Sequence, residues 1–452
     1  MERVTIKDIV NVTGGVLLCG EESYEIKNFC TDSRKMKEHE LFVPIIGERV
    51  DGHDYIEVAL QHGGATLTQK HETMIGSNPW IFVKDTVKAM QQIARWYREK
   101  MEFPVVAVTG SVGKTTTREM ITRALEAEFS VFHTEGNYNS QVGVPLTIAR
   151  MTGEEQVAVL EAGMSQVGEM TQLEAMIRPN VVVFTNIGVA HIENLGTQDH
   201  ICKEKMELAK HIDHNGAIIL NGDDAILMAH KEEFLGTVIT YGKGSHCDYQ
   251  AKDIQIRDGK TTFVCVNDGK ETAITMDVLG EHNVLNALAS FAVCKWIGLS
   301  LEQVKHQFEQ FQGTRQQVHT VNGYMVIDDT YNASPDSMKA SIAVLAHMPC
   351  DGKKIAVLAD MLELGEKTEQ YHREVGAFLG EKQIEELYTL GEYSKALFDE
   401  AKKKYPKLEG KTFMDREQLS VTIKQRLQKG DCILLKGSNG MKLSELAKQL
   451  LK

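Results

Sequence analysis

Val105-Val106-Ala107-Val108-Thr109-Gly110-Ser111-Val112-Gly113-Lys114-Thr115-Thr116-Thr117 decides the fold of this chain. The apolar, mostly β-branched run predicts a buried strand. Two glycines then turn the backbone ahead of Arg118 to Glu128, where Ile121, Ala124, Leu125 and Glu128 recur at helical intervals. Strand, glycine turn and helix in that order make a phosphate cradle. Backbone N–H groups across Gly110, Ser111, Val112, Gly113 and Thr116 can point at phosphate oxygens, and the helix N-terminus adds partial positive charge. Lys114 then reaches the terminal phosphates and Thr115 offers a hydroxyl to Mg²⁺. The general pattern G-x-x-x-x-G-K-[ST] would put a glycine at Val108, whereas Gly110 sits inside the turn, so this loop is a shortened form. A tight turn that binds nothing would need the lysine and the threonines by accident.

Outward from the loop, residues 1 to about 98 mix short strands with turns such as Asp51-Gly52 and Gly63-Gly64. They close on a charged helix through Trp96-Tyr97-Arg98-Glu99-Lys100, and Pro104 punctuates the approach to the glycine loop. Downstream, Val157 to Glu161, Val181 to Thr185 and Ala217 to Leu220 read as buried parallel strands. Between 246 and 280, Asp258-Gly259 and Asp268-Gly269 separate alternating segments such as Thr262 to Val266, predicting antiparallel hairpins at one sheet edge. A helix is expected from Asn283 to Trp296, ending near Gly298. After Gly313, strands recur around Met325 to Ile327, Ile355 to Leu358, Glu386 to Leu390 and Ile433 to Leu435. The expected fold is α/β in three domains. Residues 1–100 form a small α/β domain, 101–313 a central P-loop-type parallel sheet with helices on both faces, and 314–452 a Rossmann-like α/β domain.

A chain of 452 residues allows two or three cores at ~150 residues per domain. The formal net charge of −13 argues against a general binder of nucleic acid or membrane surfaces, which need a basic field. Eight cysteines are scattered without a C-x-x-C pair, as expected of reduced core residues. The N-terminus lacks an apolar signal core, and no apolar run approaches the ~18 residues of a membrane span. The expected compartment is the cytoplasm, with no membrane insertion.

Glu161 closes its strand at the carboxyl edge, where open α/β sheets bind ligands, and suits a Mg²⁺ sharing phosphate oxygens; it could equally cap Ala162-Gly163. His191, in Thr185-Asn186-Ile187-Gly188-Val189-Ala190-His191, reaches the same edge as a ligand or as a structural hydrogen bonder. In a helix expected from Asp199 to Ile212, Ile201, Lys205, Leu208 and Ile212 share one stripe, while Lys203 and Lys210 lie elsewhere. A lysine at that apolar position either snorkels to solvent or is buried; burial lowers its pKa, and a neutral amine can take up CO₂ as a carbamate. Asn283 and Asn286, one turn apart, read a base edge or cap their helix. Asp328-Asp329-Thr330-Tyr331-Asn332-Ala333-Ser334-Pro335-Asp336 fits a ribose site or a turn with an N-cap.

Together these segments resemble the Mur ligases, the ATP-dependent amide-bond formers of peptidoglycan synthesis. The short loop T-G-x-x-G-K-T-T-T is their form, and Glu135 to Pro145, Thr185 to Glu193 and Gly280 to Asn286 match their patterns. Asp328 to Lys339 and Leu358 to Glu366 resemble the member that adds D-alanyl-D-alanine to a UDP-N-acetylmuramoyl tripeptide. Thr31 to Arg34, Leu41 to Val43 and Asp51 to Asp54 fit that member's UDP-substrate domain. The likeness implies ATP, two Mg²⁺ ions and those two substrates, in a monomer. It implies Lys114 and Asn139 at the reacting phosphate, Thr115 and Glu161 on one Mg²⁺, and His191 with a carbamylated Lys205 on the other. Asn283, Asn286, Arg315 and Asp329 would contact adenosine, and Ser33, Arg34, Asn137, Asn332 and Ser334 the substrates. It further implies that the C-terminal domain closes over ATP before chemistry. Two positions depart from the family pattern: His39 where glycine is usual, and Asn439 where arginine is frequent. The rival readings are a folylpolyglutamate synthetase-like ligase and a nucleotide-sensing module, the latter wanting an N-K-x-D motif that the sequence lacks. The third residue of the tripeptide, lysine or diaminopimelate, stays open.

Overall fold

Val105–Thr109 lies between the parallel strands Val157–Glu161 and Val181–Phe184, with Val159 opposite Val106 and Val183 opposite Val108. The structure is a computed structural model describing residues 1–74, 76–257 and 259–452; Asp258 of the expected Asp258-Gly259 turn is outside the described residues. Among the described residues the central sheet has nine strands. Its parallel block runs from Val131–His133 at one edge to Tyr249–Arg257, and Lys260–Asn267 and Lys270–Met276 close the other edge as antiparallel hairpins. The strands are apolar at successive positions because both faces are covered. Val106, Val108, Val157, Val159 and Val183 face helices Lys114–Leu125 and Glu281–Ile297. Ala107, Ala158, Leu160, Val182 and Phe184 face Gly143–Ile148 and Glu169–Ile177 on the other side.

That second cluster does not stop at the central sheet. It continues through Met90, Ile93 and Ala94 of helix Thr86–Arg98 to Ile6, Ile9, Leu41 and Leu67 of the first domain. Arg98, buried in the joint, donates Nε–H to the Ile177 carbonyl at 3.0 Å and Nη1–H to that of Met101 at 2.9 Å. Among the described residues the first domain carries a five-stranded sheet with one antiparallel edge strand, Val16–Cys19. His39, one of the two positions that depart from the expected pattern, has φ +63°, in the left-handed region that glycine enters most readily.

The C-terminal sheet pairs Gln317–Val321 antiparallel with Tyr324–Asp328 and then continues in parallel through Cys432–Lys436, Lys354–Ala359, Glu386–Leu390 and Glu409–Phe413. Two apolar clusters of its own flank it. Val189 of the central domain is buried in the first of these, with Ile192 and Leu279 packed against it.

Helix ends differ from the sequence expectation where capping decides them. The helix after the glycine loop starts at Lys114, because Gly113 (φ +89°) already turns the chain, and ends at Leu125. The helix expected from Asp199 to Ile212 runs Gln198–Met206, opened by Thr197 accepting the His200 N–H, and tightens into a 3₁₀ turn at Glu207–Ala209. The helix expected from Asn283 starts at Glu281 and ends at Ile297, closed by left-handed Gly298.

Candidate active site

The glycine loop is braced by the loop that follows Val181–Phe184. Ser111 N–H donates to the Asn186 carbonyl at 3.0 Å and Val112 N–H to Asn186 Oδ1 at 2.8 Å. Thr185 Oγ1 donates to the Val112 carbonyl at 2.5 Å, and Gly188 N–H to Ser111 Oγ at 2.8 Å. This corrects one expectation: Ser111 and Val112 line the cleft, but their N–H groups are spent on Asn186. The anion-facing donors are those that open helix Lys114–Leu125, which have no acceptor within it. Gly110 has φ +144°, and a Cβ there would stand 1.9 Å from Thr185 Oγ1; a Cβ on Gly113 would stand 2.9 Å from Asn286 Oδ1. Neither position therefore has room for a side chain: a Cβ at Gly110 would run into the bracing loop and one at Gly113 into Asn286.

Lys114 Nζ donates to the Gly110 carbonyl at 2.8 Å, and burial pushes its pKa down. Thr115 Oγ1 donates to Glu161 Oε2 at 3.0 Å, while Asn139 Nδ2 donates to Glu161 Oε1 at 2.6 Å. Glu161 is 1% exposed, and Arg118 Nε, itself without a hydrogen-bond partner, stands 3.8 Å from it. A hydroxyl and a charge-balanced carboxylate beside a phosphate cradle are the hard oxygen donors that Mg²⁺ takes. Among the described residues no group of three or more His, Cys, Asp or Glu forms a ready metal cage.

Lys205 is 3% exposed on the stripe with buried Ile201, Leu208 and Ile212, whereas Lys203 and Lys210 pair outside with Asp199 and Glu207. Its ammonium does not snorkel; burial, and then the charge of Lys114, push its pKa well below the usual lysine range. His191 has φ +61°, and its Nδ1 lies 2.5 Å from Glu363 Oε2 of the C-terminal domain. Burial lowers its pKa, although the Glu363 carboxylate pulls the other way.

These groups share one cleft of about 980 Å³ between the central and C-terminal domains. Asn283 and Asn286 line it, joined by Asn286 Nδ2 donating to Asn283 Oδ1 at 3.1 Å. Neither caps its helix: the cap residue is Gly280, and Asn283 Nδ2 donates back to the Leu279 carbonyl. Arg315 places its guanidinium 3.2 Å over the Tyr331 ring, with Nη2 3.5 Å from Thr115 Oγ1. In the acidic string the work is divided. Asp328 holds the Thr330 turn, Ser334 caps helix Pro335–His347, and Asp329 lines the cleft, accepting from buried Lys436 at 2.7 Å and Ser341 at 2.5 Å. Asn332 also lines the cleft, its carbonyl accepting from Lys436 at 3.0 Å, and so does Asn439.

Three expected substrate contacts lie outside this cleft. Asn137 lines an adjoining pocket of about 520 Å³ with Thr115, Arg118 and His133. Ser33 is buried in the first domain, and Arg34 is exposed and paired with Asp32 at 2.8 Å. Sequence reasoning passed over Arg118, Asn186, Lys436 and Glu363. Asn186 and Glu363 lie inside quoted stretches, Thr185 to His191 and Leu358 to Glu366, without having been given a role, and Arg118 and Lys436 directly follow a quoted loop and a quoted strand.

The chain matches the family descriptions "Mur ligase family, catalytic domain" over residues 25–98, "Mur ligase middle domain" over 108–294 and "Mur ligase, glutamate ligase domain" over 314–439. It belongs to the Mur ligase family. Within it, the chain is 36% identical to the UDP-N-acetylmuramoyl-tripeptide--D-alanyl-D-alanine ligase of Bacillus subtilis, with 100% of this chain and 99% of that one aligned. The crystal structure of MurF from Acinetobacter baumannii is similar at a TM-score of 0.88 and 29% identity, covering 99% of this chain and 98% of that one. MurF ligase from Thermotoga maritima in complex with ADP is similar at 0.83 and 29%, covering 94% and 97%.

Proposed function

We propose that this chain is the ATP-dependent ligase that joins D-alanyl-D-alanine to the terminal carboxylate of a UDP-N-acetylmuramoyl tripeptide, giving the pentapeptide precursor of peptidoglycan with ADP and phosphate. The observation that carries it is the convergence of the glycine loop, Glu161, His191 and buried Lys205 on one interdomain cleft. Full-length similarity to the Bacillus subtilis ligase supports the substrates.

The tripeptide carboxylate attacks the γ-phosphorus and ADP leaves. The amine of D-alanyl-D-alanine then attacks the acyl carbon, the C–O bond to phosphate breaks, and the departing phosphate takes up the amine proton. Such phosphoryl transfer asks the protein for position and charge more than for covalent help. Lys114 steadies the β- and γ-phosphates and Asn139 orients the reacting groups from its bond to Glu161. When bound, Mg²⁺ neutralises phosphate charge; Thr115 and Glu161 would hold one ion, and His191 with Lys205 as its carbamate a second. Asn283, Asn286, Arg315 and Asp329 take the adenosine side, and Asn137, Asn332, Ser33, Arg34 and Ser334 belong to the substrate path. Residues 1–100, 101–313 and 314–452 act as the UDP-substrate, ATP and acceptor domains of a cytoplasmic monomer. Closure of the last over ATP keeps water from the acyl phosphate.

Phosphate release is measured with ATP, the UDP-linked tripeptide ending in lysine or in diaminopimelate, and D-alanyl-D-alanine, each omitted in turn. Release should need all three. Background release with all present, or release driven by glutamate and a folate, refutes the assignment.

A further inference from the structure

His191 stands at the tip of a central-domain loop that the C-terminal domain grips. Val189 is 7% exposed within the C-terminal apolar cluster, Ile192 packs on the same cluster, and Glu193 N–H donates to the Glu363 carbonyl at 3.4 Å. Across this contact two non-glycine residues face each other in left-handed conformation, His191 at φ +61° and Glu363 at φ +63°. Such backbones persist only where surroundings over-determine them.

The surroundings of Glu363 do. Met361 N–H donates to Nε2 of fully buried His372 at 3.0 Å, and His372 Nδ1 bonds the Thr368 carbonyl at 2.7 Å. His372 is thereby fixed as the neutral Nδ1–H tautomer. Leu362 N–H donates to Ser438 Oγ at 2.9 Å, and Ser438 N–H to the Asp360 carbonyl at 3.1 Å. Asp360 is in turn held by the Ser394 N–H and hydroxyl, at 2.7 and 2.6 Å. The carboxylate thus comes to His191 on a loop stiffened on both sides.

We propose that Glu363 is a positioning residue that fixes the ring and tautomer of His191 across the domain boundary. The imidazole is then presented in its ligand form only when the C-terminal domain is docked. The contact is at Nδ1, so the proton sits there and Nε2 keeps its lone pair for the cleft. A carboxylate behind a histidine in this way orients it and raises its basicity as a ligand. The inference rests on the reading of His191 as a cation ligand.

The full-length enzyme is compared as Glu363→Ala, Glu363→Gln and His191→Ala. Steady-state rates are measured together with calorimetric titration of Mn²⁺ in the presence of a non-hydrolysable ATP analogue and the UDP substrate. Glu363→Ala should lower kcat and weaken the Mn²⁺ binding that His191→Ala abolishes, each by about 10–100-fold. The KM for D-alanyl-D-alanine should stay within about twofold. Glu363→Gln keeps an acceptor for Nδ1–H and should recover most of both. Glu363→Ala matching wild type in rate and Mn²⁺ affinity overturns the proposal, as does Glu363→Gln failing as badly as Glu363→Ala with its fold intact. Wild-type behaviour of His191→Ala would instead sink the reading of His191 itself.

Discussion

Replacing Gly110 by alanine tests the glycine loop more sharply than replacing Lys114, because the expected damage is geometric. At φ +144° an alanine sits where L-residues rarely go, at a cost of about 1–3 kcal/mol. Its Cβ would lie 1.9 Å from Thr185 Oγ1 and 3.1 Å from Asn186 N, so the threonine must swing away and release the Val112 carbonyl. That loses about 1 kcal/mol more and loosens the brace on which Ser111 and Val112 depend. The combined loss, roughly 2–4 kcal/mol, should lower the melting temperature by roughly 5–15 °C in a domain of this size. A displacement near 1 Å at the phosphate should cost about 100-fold in kcat. Gly153→Ala is the control: φ is +89°, but nothing stands within 4 Å of the added Cβ, so only backbone strain of about 1–2 kcal/mol applies. Thermal unfolding and phosphate release are compared for both variants. If Gly110→Ala matches Gly153→Ala in melting temperature and wild type in kcat, the steric account of the loop is wrong.

Lys205→Ala should lose at least about 100-fold in activity, with partial recovery in a short carboxylic acid; a ¹³C-bicarbonate carbamyl resonance should be present in wild type and absent from the variant. Full activity in the variant would remove the carbamate from the mechanism. His282, half-buried in the wall of the cleft with Lys436 and Asp329, is pushed down from 6.5 to about 4, chiefly by desolvation. Its folded pKa is depressed, so the unfolded chain takes up a proton first as pH falls from 6.5 to 4, and native stability declines by roughly 3 kcal/mol across that window. Denaturant unfolding of His282→Gln should show a shallower decline from pH 7 to 4; the same slope in both proteins would contradict it.

What the sequence disclosed and what it hid follow one rule of distance. Val105 to Thr117 is read locally because strand, turn and helix are adjacent, and Glu161 because a strand end fixes its place. Lys205 was legible because helical periodicity survives the early end at Met206: Ile201, Leu208 and Ile212 are buried with it. The tautomer of His191 was not legible, since its partner Glu363 lies 172 residues away in another domain. Nor did residue type reveal that Asn186 takes the N–H groups of Ser111 and Val112, for an asparagine after a strand has many outlets. Ser334 and Asp329, five positions apart in one polar string, both line the cleft, and Ser334 also caps the helix starting at Pro335, a double duty that residue type alone does not announce.

The apolar cluster that runs unbroken from Ile6 and Leu41 through Met90 and Ile93 to Leu160 and Phe184 joins the first domain and the central one in a single core. No boundary in that core corresponds to residue 100, so a cut there would bare apolar surface on both pieces, although the first domain also keeps a smaller cluster of its own around Phe42, Ile56 and Trp80. The last domain keeps two clusters of its own and meets the rest through Val189, Ile192, Leu279 and a few polar bonds. Three segments of sequence therefore bury their apolar residues in two sets of cores, and the chain passes from one set to the other just after Phe311, which is itself buried in the central core.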